Sequence, residues 1–253
     1  MKLFATIILS IIALYLLAGI WLYFMQHRLI YYPTQPIPHN YLSVPFQNGD
    51  ASINTIVLNP GKEKAVLYFG GNAEAVVLNA ELFIKDFPNS TVYLIDYRGY
   101  GASTGKPNEQ ALYADALFIY DQLKDQFAAI SVIGRSLGSG VASLLASQRK
   151  IDRLVLITPY DSIVALAERS FPWFPVALFL NERYDSLSRV GAIKAETLIL
   201  LAEFDLIVPR THSQRLAHAF PDKQVRVEVI KGSDHNSLSL SPRYHVLLQQ
   251  FLK

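Results

Sequence analysis

The chain opens on an unbroken apolar run and then changes to short apolar blocks set apart by polar, glycine- and proline-rich punctuation. From Leu3 to Met25, "LFATIILSIIALYLLAGIWLYFM", no charged residue occurs. As a helix this stretch is about 35 Å long, slightly more than the roughly 30 Å of a bilayer's hydrocarbon core. A cleaved signal peptide is the alternative. Its apolar core spans only about 7–15 residues and closes on a small-residue cleavage site, which is missing here. Trp21, Tyr23, Tyr31 and Tyr32 stand where an interfacial aromatic belt belongs. The pattern therefore predicts an uncleaved membrane anchor over residues 1–27. Lys2 and the amino group flank one end, and only Arg28 precedes Asp50 at the other, which puts the N-terminus inside. The rest of the chain then lies on the outer, periplasmic or extracytoplasmic side.

Beyond the anchor, "YYPTQPIPHN" carries Pro33, Pro36 and Pro38, predicting a short, stiff tether over residues 28–40. The period then switches. Strands are predicted over 52–58, 65–70, 91–96, 129–134, 153–158, 197–202 and 224–230. Helices are predicted over 74–87, with Asn72 as cap, and over 109–127, 137–149 and 242–253. Strands that are apolar throughout and alternate with helices indicate a mostly parallel sheet covered on both faces. Residues 41–253 read as one domain. The alternation lapses over 159–188, where Phe171, Trp173, Phe174 and Phe179 crowd a cap-like insertion. These aromatics either line an apolar cavity or pack the cap onto the core, and both can hold at once.

Composition narrows the chemistry. With Cys 0, disulfides, thiolate catalysis, cysteine metal sites and a lipidated N-terminal cysteine are excluded. A net charge of +2 with no lysine–arginine run argues against nucleic acid as a partner.

The stretch "VIGRSLGSG" places Ser136 between Gly134 and Gly138, at the end of a buried strand and the start of a helix. That is the setting of a nucleophile elbow, a strained turn whose flanking positions leave no room for side chains. The helix beginning at Leu137 aims its N–H groups at the same point, where an oxyanion would develop. A serine hydroxyl needs a base, and the base needs an orienting acid. Asp205 follows the strand "TLILLA", and His235 lies in the loop after "QVRVEVI", both at carboxyl ends of strands. Asp161 is an alternative acid. Glu203 and Asp234 are neighbours, Asp234 reading as a loop-shaping residue. His27 and His39 fall in the tether, while His212, His218 and His245 fall in predicted helices as surface or core residues. In "FGGNAEA", Gly70 and Gly71 let the backbone approach, so that the N–H of Asn72 can join that of Leu137 in an oxyanion hole.

Together, "DYRGYGASTGKP", "GRSLGSG", "FPWFP…RYDSLSRVGAIKAETLIL" and "DLIVP…GSDHN" resemble the α/β-hydrolase superfamily over about residues 40–253. Within it the chain looks most like a membrane-anchored branch related to serine-aminopeptidase-like hydrolases and protein depalmitoylases. The resemblance implies an eight-stranded, mostly parallel sheet with helices on both faces, one strand more than the pattern delimits. It implies Ser136 as nucleophile, Asp205 as acid, His235 as base, and oxyanion donors at Asn72 and Leu137. Relatives commonly carry His-Gly-Asn where this chain has Gly70-Gly71-Asn72, so a ring that could brace the loop is missing.

The reading that results is a hydrolase of carboxylic esters or thioesters that calls for no metal or cofactor. Its substrate is a small-molecule or lipid-linked acyl compound. An aminopeptidase-like amide hydrolase and a catalytically silent, membrane-tethered binding module are the alternatives. If the enzyme acts on acyl chains at the lipid surface, a chain starting near Tyr41 keeps its rate on a soluble ester and loses rate on a lipid ester. If both rates survive equally, the anchor is only an address.

Overall fold

The computed structural model describes residues 2–253. The apolar run forms one continuous helix, α1 (Lys2–Ile30), of 29 residues. Its most apolar window has a mean hydropathy of 2.6, and none of that window is buried within the protein. An all-round apolar helix left unburied by the rest of the protein has the length and composition to cross a membrane.

Eight strands follow: β1 (Leu42–Asn48), β2 (Ala51–Leu58), β3 (Lys64–Phe69), β4 (Ser90–Ile95), β5 (Ala129–Arg135), β6 (Arg153–Ile157), β7 (Glu196–Ala202) and β8 (Val225–Ile230). They make one sheet in the order β1-β2-β4-β3-β5-β6-β7-β8. The β1–β2 and β2–β4 pairs are antiparallel and all the others parallel. The strand that the hydrophobic pattern did not delimit is β1. It is an edge strand whose Pro45 reads as a breaker, and an edge is where a strand tolerates proline. A two-residue turn joins it to β2, with Gly49 at φ 59.

Helices α3 (Glu109–Leu123), α4 (Leu137–Gln148) and α7 (Arg210–Ala219) cover one face, packing Ile119, Val141, Leu145 and Leu216 against the sheet. On the other face, α2 (Ala80–Asp86) and α8 (Pro242–Phe251) bring Phe83, Leu248 and Phe251 to a second apolar layer. The α3 helix begins where the Asn108 side chain accepts from the N–H of Ala111 at 2.8 Å.

Two expectations change here. The helix expected over 74–87 is a short 3-10 turn, Val76–Asn79, followed by α2. Asn72 does not cap it. Its side-chain oxygen instead accepts from the Tyr32 N–H at 2.9 Å and the Tyr100 hydroxyl at 3.0 Å, tying the loop to the segment after α1.

The proline-rich segment lies against the domain. Tyr31 is 3% exposed, and its hydroxyl donates to the Glu182 carboxylate at 2.6 Å, with the Tyr184 hydroxyl 2.7 Å away. Glu182 also accepts from the Glu109 N–H at 2.6 Å, so this carboxylate joins the chain after α1, the cap and α3. The cap carries α5 (Ile163–Ser170) and α6 (Val176–Phe179). It rests along α1: the Tyr15 ring stacks on Phe174 with centroids 4.8 Å apart, and the Tyr15 hydroxyl donates to the Trp173 carbonyl at 2.7 Å. Near the end of α1, the Gln26 side-chain oxygen accepts from the Asn181 N–H at 2.8 Å.

Candidate active site

Strand β5 runs straight into α4 through Ser136, whose backbone sits at φ 48 and ψ −116. A non-glycine residue avoids this conformation unless its surroundings impose it. Here the Ser136 N–H donates to the Ile157 carbonyl at 2.9 Å, and close packing closes the other routes. A Cβ at Gly134 would lie 2.6 Å from the Ala142 Cβ, and one at Gly138 would lie 2.6 Å from the Gly70 carbonyl oxygen. Both glycines are thus required by close approach. The turn presents Ser136 at the carboxyl edge of the sheet with the first turn of α4 behind it.

His235 Nε2 lies 2.9 Å from Ser136 Oγ, and His235 Nδ1 lies 2.8 Å from Asp205 Oδ2. The other Asp205 oxygen accepts from the N–H groups of Ile207 and Val208, at 3.0 and 2.8 Å. Fixed by these bonds and buried, this carboxylate holds the ring with Nδ1 toward itself and Nε2 toward the serine. The three residues follow the ends of β5, β7 and β8. Strands β7 and β8 are paired neighbours, β6 lies between β5 and β7, and parallel pairing puts all these ends on one edge of the sheet.

Asp161 has other partners. His212 Nδ1 and Arg215 Nη1 each lie 2.9 Å from its carboxylate, and the Ser162 N–H donates to it at 2.8 Å. It orients His212 rather than His235. His245 is occupied by Asp86 at 2.6 Å and by the Ser239 carbonyl at 3.0 Å. Asp234 shapes its loop as expected. Bonds from the Ser237 N–H and hydroxyl and the Asn236 N–H hold its carboxyl below the usual range. Glu203 accepts from the Gly232 N–H at 2.7 Å, linking the two loops that carry Asp205 and His235.

The Gly70–Gly71 loop has a brace after all, and it is a carboxylate. Glu74 accepts from the Gly71 N–H, from the Tyr68 hydroxyl at 2.7 Å and from Asn79 Nδ2 at 2.7 Å. Arg135 faces Glu74 at 3.6 Å and donates to the His235 carbonyl at 3.3 Å. Burial works against the Arg135 charge more than any one neighbour favours it, but Glu74, Tyr68 and Tyr244 together leave the guanidinium above its ordinary value. Sequence reasoning passed over both residues. Their one signal was a charged side chain at each end of loops otherwise built of small residues.

Asn72, Ser136 and Leu137 front one cavity of about 280 Å³. Its far walls are apolar: Leu166, Phe171, Val176 and Leu180 from the cap, and Leu22, Leu29 and Ile30 from α1. Of the cap aromatics, Phe171 lines this cavity, Phe174 and Phe179 line a neighbouring groove, and Trp173 is 83% exposed.

An eight-stranded, mostly parallel sheet with a serine on its central strand-to-helix elbow defines the α/β-hydrolase fold. A family model described as the alpha/beta hydrolase fold matches residues 64–187. An uncharacterised protein of Mycobacterium tuberculosis is 34% identical over 250 residues, covering 92% of this chain and 88% of the relative. An uncharacterised membrane protein of Saccharomyces cerevisiae is 26% identical, covering 96% and 94%. The alpha/beta hydrolase domain-containing protein aho-3 of Caenorhabditis elegans is 29% identical over 76% of this chain and 58% of its own. An esterase of Pyrococcus furiosus superposes with a TM-score of 0.70 at 19% identity, over 87% of this chain and 98% of that one. The chain belongs to the α/β-hydrolase superfamily.

Proposed function

We propose that the protein is a membrane-anchored serine hydrolase that cleaves carboxylic esters or thioesters by way of an acyl-enzyme. The observation that carries this reading is the hydrogen-bonded chain from Ser136 Oγ through His235 to Asp205, at 2.9 and 2.8 Å. Ser136 Oγ attacks the acyl carbon while His235 Nε2 takes its proton. The tetrahedral oxyanion is held by the N–H groups of Asn72 and Leu137, two residues that line the same cavity as Ser136. The imidazolium, steadied by Asp205, then gives its proton to the leaving alcohol or thiol as the bond to the acyl carbon breaks. Water then attacks the acyl carbon while His235 removes its proton, and the imidazolium returns that proton to Ser136 Oγ as the C–Oγ bond breaks and the carboxylic acid leaves. The chemistry needs no cofactor. An intact relay favours this reading over a silent binding module.

The helix α1 supports membrane attachment, as does the membrane label of the yeast relative. With Lys2 at its near end, the catalytic domain, residues 41–253, lies on the outer side. The test is labelling by a fluorophosphonate, which the wild type takes up and Ser136→Ala does not. Equal labelling of the two proteins would overturn the proposal.

A further inference from the structure

Beside the catalytic cavity lies a second, larger groove of about 620 Å³, formed between α1 and the cap. Tyr15, Leu16 and Gly19 form one side, and Phe174, Pro175 and Phe179 the other. Leu22, Gln26, Val176 and Leu180 line both spaces, so the groove adjoins the cavity that holds Ser136 and shares these four residues with it. Apart from the Tyr23 hydroxyl, its polar side chains are already engaged. The Gln26 amide bonds the Asn181 N–H and the Tyr23 carbonyl, and the Tyr15 hydroxyl bonds the Trp173 carbonyl. An occupant of this groove therefore finds hydrocarbon walls and almost nothing to hydrogen-bond.

The groove's place along α1 decides what that occupant is. Tyr15 to Gln26 is about 16 Å of helix, and nearly all of it belongs to the charge-free run that has the length and hydropathy of a membrane span. The cap beside it turns apolar side chains outward: Trp173 is 83% and Leu178 78% exposed. In water such residues are a liability, but at the edge of a bilayer they are at home. The groove thus opens at the depth of the lipid tails.

We infer that the groove between α1 and the cap is a binding site for a long fatty acyl chain, which passes sideways from the bilayer to Ser136 without crossing water. This rests on the hydrolase reading above and names its substrate class. The helix α1 is then a wall of the substrate site as well as an anchor. Removing the residues before Tyr41 takes away Leu22, Leu29 and Ile30 from the catalytic cavity, so the rate on a soluble ester falls together with the rate on a lipid ester.

The experiment uses the full chain in lipid nanodiscs, with p-nitrophenyl butanoate and hexadecanoate as probes. A Cβ at Gly19 would already lie 3.6 Å from the Phe174 ring, so Gly19→Trp drives a bulky side chain into the groove. The hexadecanoate-to-butanoate ratio of kcat/KM is expected to fall about tenfold or more, because each methylene kept out of the groove forfeits its burial. A second measurement needs no variant. A hexadecyl fluorophosphonate with a photoreactive group at the chain end is attached to Ser136 in the wild type and irradiated. Crosslinks are expected on α1 between Tyr15 and Phe24, or on α6. Both esters cleaved with an unchanged ratio, or crosslinks confined to other elements, would overturn the groove proposal and leave the hydrolase reading standing. No cleavage of either ester and no label at Ser136 would overturn both. A hexadecanoyl glycerol and an S-hexadecanoyl peptide, each in the same nanodisc, separate lipid from protein as the source of the chain. Release from either supports the site, and release from neither counts against it.

Discussion

The Arg135 guanidinium donates to the backbone carbonyl of His235 at 3.3 Å, so the residue just before the serine also holds the loop of the histidine. Its other side faces Glu74, which in turn holds the Gly71 N–H. One ion pair thus fastens the two loops on either side of Ser136. Arg135→Ala is expected to lower kcat by about 10- to 100-fold with a smaller change in KM, since small displacements of reacting groups cost that much. Arg135→Lys, which keeps the charge facing Glu74, recovers part of the loss. Steady-state kinetics of the three proteins check this, and a uniform rise in KM would contradict it.

Asp205 and Asp161 are separated by their partners. Asp205→Asn should lower kcat by about 10⁴-fold, because the neutral amide no longer selects the ring form that leaves Nε2 free to accept. Asp161→Asn should leave kcat within about threefold. It should instead cost roughly 1–3 kcal/mol of stability, because His212 and Arg215 lose a charged, buried acceptor. Activity assays paired with urea denaturation tell the two roles apart.

Gly138→Ala places a methyl group 2.6 Å from the Gly70 carbonyl oxygen, with backbone rather than a flexible side chain in the way. Overpacking of this kind costs about 1–3 kcal/mol. The shift also moves the Gly70–Asn72 loop, so activity should fall by more than the loss of folded protein explains. Denaturant midpoints beside active-site titration measure both.

Tyr31→Phe removes the hydroxyl that bonds Glu182 at 2.6 Å and lies 2.7 Å from the Tyr184 hydroxyl. Burial, and then the Glu182 bond, push the Tyr31 phenol far above its ordinary range, so it stays protonated and keeps donating. Its loss leaves a buried carboxylate short of a donor, for about 1–3 kcal/mol. The thermal midpoint should fall, and protease cleavage should speed up between α1 and β1.

Asp96 is a buried carboxyl that burial pushes above the usual range, against the opposing bonds from Asn54 and the Ala102 N–H. A raised folded-state pKa means stability that is fully present below the ordinary carboxylate pKa. It is lost as pH rises through the raised value. Asp96→Asn removes this dependence. Melting curves from about pH 4 to pH 8 should show the variant gaining on the wild type as pH rises.

Much of this molecule is local and could be read directly from the chain. The charge-free run before Arg28 forms a helix because nothing in it breaks one. Strands β5 and β7 are buried and so appear as continuous apolar blocks, ending where loops deliver Ser136 and Asp205. His235 follows the edge strand β8, whose apolar residues alternate with charged ones. The glycines around Ser136 mark the turn because only glycine fits there. Other features depend on what lies across the fold. Strand β1 exists because β2 pairs with it, although Pro45 argues against a strand when read alone. Whether Asp161 or Asp205 meets His235 was decided by which strand ends the parallel sheet sets side by side. The Glu74 brace, and the seating of α1 along the cap, join residues far apart in sequence. Periodicity and turn chemistry act over a few residues and are written in order along the chain. Partners brought together by packing leave no such local trace.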